Sequence, residues 1–351
     1  MKTYINRNLE SLLSRLSEAC EVYCPIKQYA AGSEEFVLNF DKWKPGAEVD
    51  MSHNLTVMPP KEFFFRPFEA LYTAEVSSEI SITPEILPTE PFVLFGVHAC
   101  DLRGIELLDS VFLDAPMDNF YKARREAATI VTLACHKNGV ACFCDTFDID
   151  KLNPGGDVQI NQHGDYFTWK TLTTKGERLT EAAKDLLSES SSGPNELRVH
   201  ATTISDSSHC RPNSEPENNE QQVKYTLPPS DDLLKTFNSE KWESLYKTCI
   251  ACGTCTFLCP TCQCYDITDY NTGKKVKCHR AWDSCMSEDF TKMAHGNPRN
   301  SHKERFRQRF MHKLVYHSQS GGKYGCTGCG RCTTKCPVNL SILKVIKAMG
   351  E

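Results

Sequence analysis

The chain has 351 residues, of which 40 % are hydrophobic, and a formal net charge of −5. That length suits two domains with cores of their own, and the acidic balance excludes a global basic field for nucleic acid. Cysteine is the outlier, with 19 in the chain. A secreted disulfide framework would call for an apolar leader and usually a short chain, but MKTYINRNLESLLSRLSEAC at 1–20 is polar and amphipathic. No apolar run approaches the ~18 residues of a membrane span. The expectation is a cytoplasmic protein with reduced thiolates free to serve as ligands, and with neither a membrane nor a nucleic acid as partner.

Leu9, Leu12, Leu13 and Leu16 share one stripe, which predicts a helix over 5–19. Short strands are expected around 54–75, where Pro59 and Pro60 stop any helix. FVLFGV at 92–97 is a continuous apolar run that suits a buried parallel strand. A helical pattern follows through Ile105, Leu107, Leu108, Val111 and Phe112, and ATIVTLA at 128–134 reads as a second buried strand. Strand, helix and strand make a βαβ unit. If its strands are neighbours, Cys100 and Cys135 share the carboxyl edge, where open α/β sheets place their sites. Cys142 and Cys144 follow in one short loop, and 158–172 reads as a hairpin turning at His163 and Gly164.

Residues 188–224 are rich in Ser, Asn, Pro and Glu and read as a linker or poorly ordered loop. A helix is expected to resume near Pro228, with Asp231 and Asp232 in its first turn, and to run into Cys249. Beyond Cys264 the chain is expected to be mostly helical.

CIACGTCTFLCP at 249–260 and CTGCGRCTTKCP at 326–337 both read C-x2-C-x2-C-x3-C-P. In that pattern three thiolates wrap one 4Fe-4S cubane and the fourth Cys reaches the other cluster. The spacing assigns Cys249, Cys252, Cys255 and Cys336 to one cluster, and Cys326, Cys329, Cys332 and Cys259 to the other. Gly253, Gly328 and Gly330 allow the tight backbone that turns N–H groups onto the sulfurs. Zinc knuckles need no third Cys at x2 and no fourth at x3 before Pro. The connection between the motifs is long for a free shuttle and suits a docked module.

Cys100, Cys135, Cys142 and Cys144 are candidates for a third cluster or a zinc, against the ordinary reading of buried free thiols. Cys262, Cys264, Cys278 and Cys285 form a further group, either ligands or lining of the first motif's pocket, and a His ligand stays open for it. Cys20, Cys24 and Cys210 have no partner pattern. His279, His295, His302, His312 and His317 read as helix-surface residues. The basic stretch at 298–313 has two readings, a solvated helix face or cations that stabilise a reduced, anionic cluster. No nucleotide-binding glycine fingerprint and no hydrolase or zinc-protease motif occurs. Two rivals stand beside an electron carrier: a scaffold with structural zinc, and an enzyme with its own site near Cys100 and Asp101.

PFVLFGVHACDLRGIELLDSVFLD, CFC at 142–144, CPTCQCYD, RAWDSC and CTGCGRCTTKCP resemble the beta subunit of archaeal and bacterial sulfhydrogenases, and also the dicluster electron-transfer subunit of anaerobic sulfite reductases. The resemblance covers most of the chain except 188–224, and MPPKEFFFRPFEALY at 58–72 leans to the sulfhydrogenase side. It implies an electron-transfer protein without its own substrate site. Such a protein relays electrons between a flavin subunit that meets NAD(P)H and a catalytic subunit, nickel–iron hydrogenase or sirohaem sulfite reductase. A flavin–heterodisulfide reductase assembly is a further alternative. The resemblance also implies a role for Cys100, Cys135, Cys142, Cys144, Cys262, Cys264 and Cys285, whereas Cys278 stands where it implies Arg, which counts against a ligand role.

The expected fold is α+β. An N-terminal α/β domain with a small, mostly parallel sheet occupies 1–187, a linker or loop 188–225, and an α-helical ferredoxin-like domain with two 4Fe-4S clusters 226–351.

Overall fold

The computed structural model describes residues 3–52, 55–77, 79–137, 139–164, 166–189 and 225–350. Nearly all of the expected linker, and Cys210 with it, lies outside the described residues. The strands are β1 (Thr3–Asn6), β2 (Glu21–Tyr29), β3 (Phe36–Lys42), β4 (Phe68–Val76), β5 (Ile80–Pro84), β6 (Phe92–His98), β7 (Ala128–Leu133), β8 (Val158–His163), β9 (Tyr166–Thr171), β10 (Ser188–Glu189), β11 (Tyr265–Asn271) and β12 (Lys275–Trp282). The helices are α1 (Leu9–Ser17), α2 (Ala99–Phe112), α3 (Asn119–Ala127), α4 (Thr174–Ala182), α5 (Ser230–Lys235), α6 (Lys241–Tyr246), α7 (Thr254–Phe257), α8 (His302–Met311), α9 (His317–Gly321), α10 (Arg331–Thr334) and α11 (Ile342–Gly350).

One eight-stranded sheet runs in the order β10-β1-β9-β8-β7-β6-β2-β3. It is larger and more mixed than the small, mostly parallel sheet expected. Parallel pairing is confined to β2, β6, β7 and β8, and the outer strands pair antiparallel. The central strands are covered on both faces, which explains their unbroken apolar runs. Val93 and Phe95 of β6 pack with Leu12, Leu13 and Leu16 of α1 and with Trp169. Leu94 and Val97 face the other side, against Leu102, Ile105 and Leu108 of α2 and Tyr121 of α3. The two-residue alternation slips between Phe95 and Val97, where the register against β7 shifts. Gly96 sits in that slip at φ +87°, a conformation glycine adopts without strain.

The second sheet has four antiparallel strands in the order β11-β12-β4-β5, joining strands from both halves of the chain. It corrects the expectation of a mainly helical C-terminal part. YDITDYN and KVKCHRAW carry β-branched and aromatic residues around a turn at Thr272 and Gly273, a hairpin composition that the density of cysteines concealed. The helix expected to run unbroken into Cys249 is instead divided into α5, a 3-10 turn at Thr236–Asn238, and α6. Buried charges bind this second sheet to the α/β layers. Glu69 on β4 takes Arg280 of β12 at 2.5 Å and also pairs with Arg124 of α3, while Arg280 pairs with Asp118 at the start of α3.

The cysteine motifs are held against the carboxyl edge of β6 and β7, the edge where the βαβ reading expected only Cys100 and Cys135. Asp101, in the first turn of α2, and Arg331, in the second motif, form a fully buried ion pair at 2.5 and 2.8 Å. Arg331 also donates to the carbonyl of Thr56 at 2.7 Å and to its hydroxyl at 3.1 Å. Gly104 on α2 lies against the first motif so closely that a Cβ would come within 2.7 Å of Pro260 Cβ.

Candidate functional site

The two motifs fold alike. Ala251 and Gly253 in the first, and Gly328 and Gly330 in the second, all have φ between +55° and +84°. Each motif then enters a single helical turn, α7 or α10, and these two turns touch. Alternating the hand of the backbone over so few residues turns successive N–H groups inward, a nest for anions. Ala251 N–H points to Cys249 Sγ at 3.4 Å, and Leu340 N–H to Cys336 Sγ at 3.2 Å. A side chain at Gly330 has no room, because its Cβ would lie 2.5 Å from the carbonyl oxygen of Ala141.

Two cavities result, and the fourth cysteine crosses between motifs in each. Cys249, Cys252, Cys255 and Cys336 line a space of about 460 Å³ together with Met286, Phe306 and Arg309. Cys259, Cys326, Cys329 and Cys332 line a second, of about 310 Å³, with Arg309, Lys313 and Phe143. Cys252 is exposed at the first, whereas Cys259 and Cys329 are buried at the second.

The basic stretch at 298–313 is no solvated face. Arg305, Arg309 and Lys313 are buried on one side of α8 and the π-helical turn that continues it. Lys313 Nζ donates to Cys259 Sγ at 3.1 Å, to the Thr261 hydroxyl at 2.8 Å and to the Gly325 carbonyl at 3.0 Å. Burial alone would lower the Lys313 ammonium, yet the thiols of Cys259, Cys262 and Cys326 carry it well above its ordinary value. Arg309 is buried and lines both cavities, and its Nε has no hydrogen-bond partner. A buried guanidinium N–H without an acceptor is expensive. Anionic sulfur in the adjoining cavities would supply one. Burial pushes the Cys326 thiol up to about 12, so a thiolate there needs a bound cation to exist at neutral pH. Thiol donor set, cavity and orphaned cation all fit a 4Fe-4S cluster in each space.

The other cysteine candidates divide. Cys262, Cys264 and Cys285 line a third space of about 340 Å³ with Arg309, Lys313, His312 and His317. Hydrogen bonding from Cys285 pulls the Cys264 thiol down to about 7. Cys278 is not among them, since it lies on β12 opposite Asp269 and Tyr72. In the N-terminal group, Cys100 and Cys144 pack with Ala99, Ile149 and Cys329 of the second motif, and Cys142 Sγ reaches the Cys329 carbonyl at 3.5 Å. Cys135 Sγ contacts the Lys137 carbonyl at 2.9 Å. Phe143 N–H donates to the Gly328 carbonyl at 2.8 Å, so the loop holding Cys142 and Cys144 is docked on the second motif. Among the described residues, no three His, Cys, Asp or Glu side chains converge as the ligands of a single metal ion would. His279 belongs to β12, not to a helix surface, and packs at a tilt against Phe68.

Residues 248–340 match the family of 4Fe-4S dicluster domains. The chain is 29 % identical over 341 residues to sulfhydrogenase 2 subunit beta of Pyrococcus furiosus, covering 96 % of this chain and 95 % of that protein. Over nearly its whole length the chain is thus similar to a sulfhydrogenase beta subunit. No solved structure matches it. The region that matches the dicluster family contains both cysteine motifs and all of the third cavity's thiols. No helix among the described residues is long and apolar enough to cross a membrane.

Two functional contacts escaped the sequence reading. Lys61 is 2 % exposed, donates to the Cys262 carbonyl at 2.9 Å and lies 4.1 Å from the Trp282 ring centre, and burial lowers its ammonium to about 8. Its signal was a lone Lys in the apolar, aromatic run PPKEFFF, too common on surfaces to decide anything. The Asp101–Arg331 pair spans most of the chain and leaves no local pattern.

Proposed function

We propose that this chain is the iron–sulfur electron-transfer subunit of a cytoplasmic, multi-subunit, NAD(P)-linked oxidoreductase of the sulfhydrogenase type. It relays electrons between a flavin subunit that meets NAD(P)H and a catalytic nickel–iron subunit. The observation that carries this reading is the crossed ligand set, with Cys336 completing the first cavity and Cys259 the second. The name of the Pyrococcus furiosus relative favours a hydrogenase partner over a sirohaem one.

Bound 4Fe-4S clusters would supply sites that take up and release single electrons. The chain fixes where those sites lie. The first cavity opens beside exposed Cys252 and Ile250, within reach of a partner surface. The second is buried, under the loop that carries Cys142 and Cys144. Arg309 lies at the wall common to both. N–H groups on the sulfurs, burial and fixed cations are the protein's means of setting potential.

The expected result for anaerobically isolated protein is at least about eight irons with matching acid-labile sulfide per chain, and an EPR spectrum of interacting clusters after dithionite. Zinc without iron would sink the proposal. In the native complex, a flavoprotein and a nickel protein should co-purify with the chain, and a sirohaem protein in their place would redirect it.

Lys313→Met tests the charge argument. A unit charge a few ångströms from a cluster is worth on the order of 4 kcal/mol at an effective dielectric constant near 20. A cation favours the reduced, more negative state, so its loss lowers the potential of the second cluster. Allowing for water entry, the expected shift is downward by roughly 100 mV in an EPR-monitored titration. No shift would mean that Lys313 is structural only.

A further inference from the structure

The third cavity belongs to neither motif. Like the second cavity, it is lined by cysteine thiols together with Arg309 and Lys313. Three separate pieces of chain build it. The segment after the first motif brings Cys262 and Cys264, the turn after β12 brings Cys285, and the α8–α9 rod brings Arg309, Lys313 and two histidines. A backbone bond fixes the first two pieces together, from Asp283 N–H to the Cys264 carbonyl at 3.0 Å, and Cys262 N–H turns back to the Cys259 carbonyl at 3.4 Å within the first.

We propose that this cavity holds a third iron–sulfur cluster, bound by Cys262, Cys264, Cys285 and Nε2 of His317. His317 is suited to ligation because its Nδ1 lies 2.9 Å from the Lys323 carbonyl. That contact fixes the tautomer with the proton on Nδ1 and leaves Nε2 as the donor, the usual arrangement of a metal-bound imidazole. The ring is also held in place by Gly325, which passes so near that a Cβ there would meet it at 3.2 Å.

A cluster suits the space better than a single ion. Among the described residues its thiols line a space without converging on one point, which is also how the thiols of the two motif cavities are arranged. Two buried cations line it and a third lies behind its wall. Lys61 is bonded to the Cys262 carbonyl, Lys313 lies on the wall shared with the second cavity, and Arg309 lines all three cavities with its Nε unpartnered. A single hub cation touching three thiol-lined spaces places the third site beside the other two, where an electron can enter or branch.

The inference builds on the two-cluster reading, and iron counts separate the two. Full-length protein isolated anaerobically should carry about twelve irons per chain. Cys262→Ser with Cys285→Ser should lower this by about a third and keep the EPR signals of the motif clusters. Should that double variant fold poorly, His317→Ala should lose third-site iron, while His317→Cys should keep it and change its EPR spectrum. Cys278→Ser, on the same strand as the approach to Cys285 but outside the cavity, should leave iron unchanged. About eight irons in the parent, unmoved by these variants, would overturn the third site and leave the two-cluster reading intact. One zinc per chain lost in the double variant, or a Cys264–Cys285 disulfide found by mass spectrometry of alkylated protein, would also overturn it. No iron at all would overturn both.

Discussion

Cys336→Ser is expected to remove the first cluster, although Cys336 belongs to the second motif. The reason is its place in the wall of the first cavity, beside Cys249, Cys252 and Cys255. Cys259→Ser should do the reverse, since Cys259 lines the second cavity with Cys326, Cys329 and Cys332. Each variant should lose about four irons. Counting iron alone does not tell which cluster has gone, but Lys313 does. It bonds Cys259 Sγ, so its charge acts on the second cluster. Adding Lys313→Met to Cys336→Ser should therefore still shift the remaining potential downward. Adding it to Cys259→Ser should shift the remaining, first cluster much less. Equal shifts in both backgrounds would mean that the ligands do not cross.

That crossing could be read in the sequence because spacing alone encodes it. A Cys four positions beyond its neighbour and just before Pro lies past the end of one short helical turn, where it points to the other half. The βαβ core was legible for a similar reason, since strands buried on both faces must be apolar at every position, as FVLFGV is. The β11–β12 hairpin was not. Every residue of β11 is exposed, so no buried face imposed a period, and the cysteines on either side drew the reading toward helix. The buried side of α8 was half legible. Arg and Lys in RFRQRFMHK look like a solvated face until the thiols packed against Arg309 and Lys313 are known, and those come from other parts of the chain. The same limit applies to His317, whose partner Lys323 is near in sequence while the thiols it faces are distant.

Asp101→Ala should be among the most damaging substitutions outside the cysteines. Asp101 is 1 % exposed and Arg331 3 %, so neither reaches bulk water. Removing one member of a buried pair leaves the other charge uncompensated, which costs about 3–5 kcal/mol. The damage should not stay local. Arg331 sits between Gly330 and Cys332, and Gly330 is pressed against Ala141 with no space to move inward. A displaced Arg331 must carry Cys329 and Cys332 with it, so the second cavity should lose iron as well as stability. The test is anaerobic thermal denaturation together with iron analysis, and the expected result is a melting temperature lower by several degrees with the second cluster depleted first. Asp101→Leu combined with Arg331→Met removes both charges and should recover much of the loss in stability, because replacing a buried pair by apolar side chains is often nearly neutral. Recovery of stability without recovery of iron would assign the pair a second task, holding the motif in the shape that the cluster needs. A single variant that melts and binds iron like the parent would show that the α/β layers do not clamp the second motif through this contact.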